Sequence, residues 1–392
     1  MSLKISDNIS KVPDFYVLKI DKVANELISK GGDIIKLNLG KSELDMSKNV
    51  KDEFKEKIYD YIKSNIVDPQ GLIHLREEIV NHYKNLYGVN FSTSQVFVNN
   101  GTSPIIWSIF SILINKGDSI LLPRPGYPSY SAAAEMVYAN KDYYNVINGR
   151  IDLNDFKNKF KADRTKIVVI NSPGNPLGNV INQDEFKEML DTVNGKAYIL
   201  SDEIYDGFVY NKFTSVLQVF NPERDKVIFV NGFSKMHHMY TRRLGYAIIP
   251  NELIPYLVRF QQHNIVCVDP VTQYSGITSL RNVNGFMKQE IQEEVNTYKG
   301  RLEKSENLIK NTKLKIIKPE GSWYLCVDIG NYLNNKIKGS LDLAELLIRE
   351  AKVAVAPGID FGDDNIFRIS LTNSRSVDGV ERMCNFLNSL DQ

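Results

Sequence analysis

Cysteine is scarce in this chain. The three residues present, Cys267, Cys326 and Cys384, lie far apart and form no CxxC pair, so their spacing builds neither a disulfide framework nor a metal site. Neither sign of charge is in excess. Lysines and arginines number 48 against 47 acids, a net charge of +1 that gives no general field for nucleic acid or an anionic membrane and leaves any anion site to be local. Long apolar runs are missing too. The most apolar stretch, IIWSIFSILI at residues 105–114, is too short to span a bilayer, and the opening MSLKISDNISKVPDF lacks the apolar segment of a signal peptide. There is no internal repeat and no low-complexity linker. These absences predict a soluble, cytoplasmic protein with neither a nucleic-acid nor a membrane partner.

What is present suits a folded protein of about two domains: 392 residues, 43% hydrophobic and 24% charged. Short β-rich runs recur with helical patterns between them: QVFVNN, SILLP, KIVVINSP, AYILSDEIY, KVIFVNGFS and LGYAIIP, all between Gln95 and Pro250. Such alternation, with strands apolar on both sides, predicts an α/β fold whose largely parallel sheet is covered by helices on both faces. After Pro250 come long charged helical segments, among them NGFMKQEIQEEVNTYKGRLEKSENLIKNTKL, and then an alternating region that reads as a smaller α+β domain. The expected division is a large domain over 45–285 and a small domain made of 1–44 and 286–392.

Ligands of open α/β sheets sit at the carboxyl ends of the strands, which directs attention to the turns. In NNGTS a strand ends at Asn100, and Gly101, Thr102 and Ser103 lead into a helix, an arrangement of hydroxyls and free backbone N–H groups suited to a phosphate. SDEIY puts Asp202 and Tyr205 after a buried-looking run, where a carboxylate needs an arginine or a cationic ligand atom as partner. NGFSK places Lys235 at a strand end, with Ser234 before it and Arg243 after it; PGYP supplies Tyr127, and NSPGNPLG supplies Asn175. Each turn alone also has an ordinary reading as a cap, a bend or a solvated charge. Together they are the parts that would hold a flat, cationic, phosphorylated aromatic ring.

With these residues in view the chain resembles the fold type I pyridoxal-phosphate enzymes, in particular the class I/II aminotransferases. The segments LNLG, DPQGLIHLREEI, NNGTS, RPGYPSY, NSPGNPLG, SDEIY, NGFSK with RRLGY, PEGSWYL, VAPG and IFRIS follow the family's order across nearly the whole chain. The resemblance implies a large domain with a mostly parallel seven-stranded sheet and a smaller α+β domain. It implies pyridoxal 5'-phosphate as cofactor, with Lys235 as the Schiff-base lysine and Asp202 as the acid on the pyridine nitrogen. Asn175 and Tyr205 match the residues that bond the ring's phenolic oxygen, and Tyr127 the ring's stacking partner. Gly101, Thr102, Ser103, Ser234 and Arg243 match the phosphate site. Arg368 of IFRIS matches the arginine on the substrate's carboxylate, aided by Asn175 and the backbone at Gly40. The activity implied is transamination between an L-amino acid and a 2-oxo acid, in a homodimer with sites at the subunit interface. Other pyridoxal-phosphate reactions on this fold (β-lyase, cyclase, oxidase) and a non-catalytic effector-binding domain are the alternatives.

The chain departs from the family's pattern in places. Tyr240, Thr241 and Arg242 stand where Thr-Gly-Trp is frequent, so two arginines compete for the phosphate, and spacing favours Arg243. Ile66 occupies the position of a tyrosine that reaches the partner's cofactor, with Tyr61 as a substitute to consider. His237 and His238 read as helix or cleft lining.

Overall fold

The computed structural model describes residues 5–63 and 65–390, so Met1–Lys4 of the expected 1–44 segment, Ser64, and Asp391 and Gln392 of the expected 286–392 segment lie outside the described residues. Eight strands form the large sheet: β1 (Val96–Asn99), β2 (Ser119–Arg124), β3 (Asn140–Ile147), β4 (Arg150–Ile151), β5 (Thr165–Asn171), β6 (Tyr198–Asp202), β7 (Lys226–Gly232) and β8 (Gly245–Ile248). Their order is β1-β8-β7-β6-β5-β2-β3-β4. The central run from β3 to β7 is parallel, while β8 pairs antiparallel with both β7 and β1.

Alternation decides which core each strand residue joins. Val168 and Ile170 of β5 enter one buried cluster with Val227 and Phe229 of β7. Ile167 and Val169 enter the opposite one with Ile228 and Val230, beneath Ile105, Ile109 and Phe110 of the helix Thr102–Leu113. Both faces are therefore buried, which is why these strands read as unbroken apolar runs.

The sheet has one strand more than the seven expected. The added strand is the two-residue β4, which folds back on β3 through Asn148 and Gly149, both at positive φ (49° and 77°) as the tight hairpin turns of Asn-Gly pairs require. β3 itself was not among the six strand runs read from sequence. Its first half, Asn-Lys-Asp, is polar and partly exposed, so it lacks the apolar signature of its neighbours.

A second, antiparallel sheet joins Lys315–Ile317, Tyr324–Asp328, Ile366–Ser370 and Ala356–Pro357. Ile35–Lys36 pairs in parallel with Val353–Ala354, and Ile20, Ala24 and Leu37 share a cluster with Leu302, Leu325, Leu347 and Met383. The charged segment after Gly285 is one helix, Phe286–Ile309. No helix of the described residues is long and apolar enough to cross a membrane.

Candidate active site

The topology gathers one edge of the large sheet into a single place. Parallel strands end there at Asn171, Asp202 and Gly232; Asn171 stands opposite Asp202 and Asp202 opposite Val230, two residues before Gly232, and the antiparallel β8 begins there at Gly245, opposite both Gly232 and Asn99. The turns that follow or precede these residues carry Asn175, Tyr205, Ser234, Lys235, Arg243 and the Gly101–Ser103 loop. A cavity of about 490 Å³ opens at this edge, lined by Gly40, Thr102, Ser103, Tyr127, Asn175, Asp202, Tyr205, Ser234, Lys235, Arg243 and Arg368. Of the residues given a catalytic, cofactor-binding or substrate-binding role from the sequence, all but Gly101 line this one cleft, and Gly101 lies against the Arg243 side chain that does.

Lys235 is buried. Its Nζ donates to the carbonyl of Gly40 at 2.8 Å and stands 5.3 Å from the ring centres of Tyr205 and Trp323 and 5.4 Å from that of Tyr240. Burial, followed by the charges of Arg368 and Arg243, holds the amine below the usual lysine range, against the opposing pull of Tyr324 and Asp202. The shift is toward the neutral amine, the nucleophilic form.

Asp202 lies across the cleft. The hydroxyl of Tyr130 donates to its Oδ2 at 2.8 Å and the backbone N–H of Ile204 to its Oδ1 at 3.2 Å. Among the described residues no lysine or arginine pairs with it, and burial pushes its carboxyl up to about 6. A buried carboxylate left without a cation is fitted to receive one from a ligand.

Arg368 shows the complementary lack. It is buried at 4% exposure and forms no ion pair among the described residues. One terminal nitrogen donates to Asn175 Oδ1 at 2.9 Å and the other to the carbonyl of Asn38 at 2.6 Å, while Nε has no partner. The rings of Tyr324 and Phe361 hold the guanidinium plane at 4.3 and 4.8 Å, leaving it ready for a carboxylate.

The third corner suits a phosphate. The helix Thr102–Leu113 starts after Gly101, whose φ of +101° requires glycine; a Cβ there would also stand 2.7 Å from the Arg243 guanidinium and displace it. Arg243 donates to the carbonyl of Tyr240 at 3.0 Å and reaches Ser234 Oγ at 3.5 Å. Of the two competing arginines, Arg243 lines the cleft and Arg242 does not. The Ser103 and Tyr127 hydroxyls lie 3.4 Å apart, and the Tyr127 ring packs edge-on against Tyr130.

Two cleft tyrosines were not singled out from the sequence, and a third, Tyr240, was noted only as a departure from the family's pattern. Tyr130 holds Asp202; its signal was the PGYPSY segment, where it follows Tyr127 by one helical turn. Tyr324, quoted only within PEGSWYL, bonds Tyr205 hydroxyl to hydroxyl at 2.9 Å and fills the space that a side chain at Gly40 would need. Burial opposes ionisation of Tyr324, and the charges of Arg368 and Lys235 outweigh it, so this phenol is shifted down. Tyr240 lies beside the lysine.

The two histidines correct their reading. They sit in a turn rather than a helix and neither lines the cleft. His237 is buried against Phe233 with its Nδ1 2.7 Å from Ser279 Oγ, and His238 points the other way, to Glu294. Tyr61 is also absent from the cleft lining: it stacks on Tyr274 at 4.0 Å.

Comparison with known proteins bears on this geometry. The family model described as aminotransferase class I and II matches residues 32–387. The chain is similar to an aspartate aminotransferase of Thermotoga maritima, at 31% identity over 98% of this chain and 100% of that protein. A (5-formylfuran-3-yl)methyl phosphate transaminase of Methanocaldococcus jannaschii is 29% identical over 98% of this chain and 100% of its own length. The crystal structure of the Thermotoga maritima aspartate aminotransferase superposes with a TM-score of 0.88 at 28% identity, covering 98% of this chain and 100% of that one.

Proposed function

The chain belongs to the class I and II aminotransferases, pyridoxal-phosphate enzymes of fold type I that act on small molecules, and from that premise we propose how its own residues carry out transamination. The cofactor, when bound, supplies an aldehyde carbon for an amine and an aromatic electron sink beside the amino acid's Cα. Lys235 would be the amine for that carbon and, when free of it, the base that moves the proton at Cα. Asp202 holds the proton on the ring nitrogen. Asn175 and Tyr205 would bond the phenolic oxygen, and Tyr127 would cover the ring. Thr102 and Ser103, with the helix N-terminus, Ser234 and Arg243, hold the phosphate. Arg368 takes the carboxylate of the amino acid or oxo acid and, with Asn175 and the backbone at Gly40, orients the bond to be broken.

The observation that carries this reading is the opposition of two buried groups across one cleft, a carboxylate without a cation and an amine held below its usual range. Phe15, Val17, Leu18 and Leu39 give the cleft an apolar wall suited to a neutral or aromatic side chain. The shared cluster of residues 20–37 with 302–387 supports a cofactor-binding domain over 45–285 and a second domain of 1–44 with 286–392. Three free thiols suit a reducing cytoplasm. A homodimer completes the proposal, supported by exposed apolar residues at the end of the helix Lys48–Ile62.

Borohydride reduction of the cofactor-loaded protein followed by peptide mapping tests the assignment. The expected result is a single pyridoxyl label on Lys235 and, in Lys235→Ala, loss of transamination by several decades. A label on another lysine, or an active Lys235→Ala, would overturn it.

A further inference from the structure

On the side of the Lys235 turn away from the cleft lies a buried polar cluster that the proposed reaction leaves unused. Glu294, on the helix Phe286–Ile309, is 4% exposed. Its Oε1 accepts from Ser42 Oγ at 2.9 Å and from the hydroxyl of Tyr298, and its Oε2 stands 3.0 Å from His238 Nε2. The backbone N–H of His238 donates to the carbonyl of Lys235 at 3.1 Å, and Ser42 follows Gly40, the acceptor of the Lys235 amine, by two residues. These contacts close a ring: from Lys235 Nζ to Gly40, along the chain to Ser42, through Glu294 to His238, and back to the backbone of Lys235.

Two features argue that this ring is more than packing. His238 holds a left-handed backbone, φ +52°, which a non-glycine residue adopts at a cost and which aims its ring at Glu294. Glu294 Oε2 and His238 Nδ1 are also both buried without a well-formed hydrogen bond, so the His238 Nε2 contact at 3.0 Å is close but not hydrogen-bonded, and two polar atoms at this place go unsatisfied, which ordinary packing avoids. A second cavity of about 510 Å³, lined by His238, Glu294 and Tyr298 with Glu290 and Arg301 and sharing no lining residue with the cofactor cleft, reaches the same cluster.

We propose that Glu294 and His238 are positioning residues for Lys235: one carboxylate on the long helix fixes the lysine's turn and the Gly40 carbonyl relative to each other, and so sets where the amine points. The inference rests on the assignment of Lys235 above. Neither residue touches the cleft, so their effect passes through the lysine and not through substrate contacts.

The test uses the cofactor-loaded protein. His238→Asn keeps a residue that tolerates the left-handed backbone but is too short to reach Glu294; Ser42→Ala removes the other arm; Glu294→Gln keeps the shape without the charge. The pH midpoint of the visible absorption band is read before substrate is added, then kcat and KM for a reactive amino acid. His238→Asn is expected to shift the midpoint and lower kcat by about tenfold or more, as small misplacements of a reacting group do, with KM nearly unchanged. Ser42→Ala and His238→Asn combined should fall short of additive, because both act through one carboxylate. Variants that load fully and keep the wild-type midpoint and kcat, losing only thermal stability, would overturn the proposal even if Glu294→Gln fails to fold. A wild type whose Lys235 is not reduced onto the cofactor would overturn the assignment of the lysine, and the inference with it.

Discussion

Asp202 is the residue at which burial and chemistry are most tightly joined. Its carboxyl is raised by burial and steadied by hydrogen bonds from Tyr130 and the Ile204 amide and, more weakly, by the charge of Lys235, with no lysine or arginine paired to it among the described residues. Removing one partner of a buried pair of this kind costs roughly 3–5 kcal/mol, about two to four decades in an equilibrium or a rate. Asp202→Asn is therefore expected to lower kcat/KM by that amount while leaving the fold intact, since the amide can still accept from Tyr130. The direction of the pKa shift adds a pH signature. Above about 6 the acid is ionised and attracts a protonated ring; below it the acid takes up a proton and the attraction is lost. Cofactor affinity in the wild type should fall as pH drops through that value, and the step should be missing in the asparagine variant. Equilibrium dialysis across pH checks both, and an unaltered step in the variant would place its origin elsewhere.

The elements explain why residues so distant in sequence meet, and how far that was legible. A strand followed by a polar or glycine-rich turn is a local pattern, so NNGTS, SDEIY and NGFSK could be read without the fold, and parallel pairing then brings Asn171, Asp202 and Gly232 to one edge. Contacts that depend on long-range register left no such trace. Nothing local joins His238 to Glu294, or the N–H groups of Tyr16 and Val17 to the Asp360 carboxylate that caps their helix from the other end of the chain. β3 escaped notice because its polar opening suits a strand near the sheet's edge better than one at its centre. The glycine in RRLGY carries a further consequence of register. A Cβ on Gly245, the first residue of β8, would lie 2.5 Å from the carbonyl carbon of Gly101 and 2.7 Å from the N–H nitrogen of Thr102, displacing the start of the phosphate-facing helix. Gly245→Ala should weaken cofactor binding by at least about tenfold, since a reorganised helix N-terminus no longer aims its N–H groups at the anion, while kcat of the fully loaded fraction changes little. Titration of the apoprotein with pyridoxal phosphate measures this, and equal affinities would show that the helix start can yield without loss.

For the whole molecule, the telling feature is apolar surface that one copy leaves in water. Tyr59, Ile62, Ile66, Val67 and Ile73 are exposed at 77, 60, 51, 63 and 40%, all within the end of one helix, the connection after it and the start of the next. Isolated exposed apolar side chains are ordinary, but a run of this kind marks a surface that another protein covers. A second copy of the chain is the occupant that the proposed function favours, because the family resemblance puts at Ile66 a side chain that reaches the partner's cofactor. In a dimer of that kind Ile66 adds apolar area but cannot bond a phosphate, which leaves a greater burden on Arg243, Ser234 and the Gly101–Ser103 loop. The wild type should scatter light with twice the 44.7 kDa of a single chain, and its melting temperature should rise with protein concentration, as mass action requires of a folded dimer. Placing two charges in the stripe, Ile66→Glu with Val67→Glu, should shift the mass to a single chain and weaken cofactor retention at the same time. A wild type that remains at 44.7 kDa across micromolar concentrations would mean that the stripe faces a different partner, and that the cleft is complete within one chain.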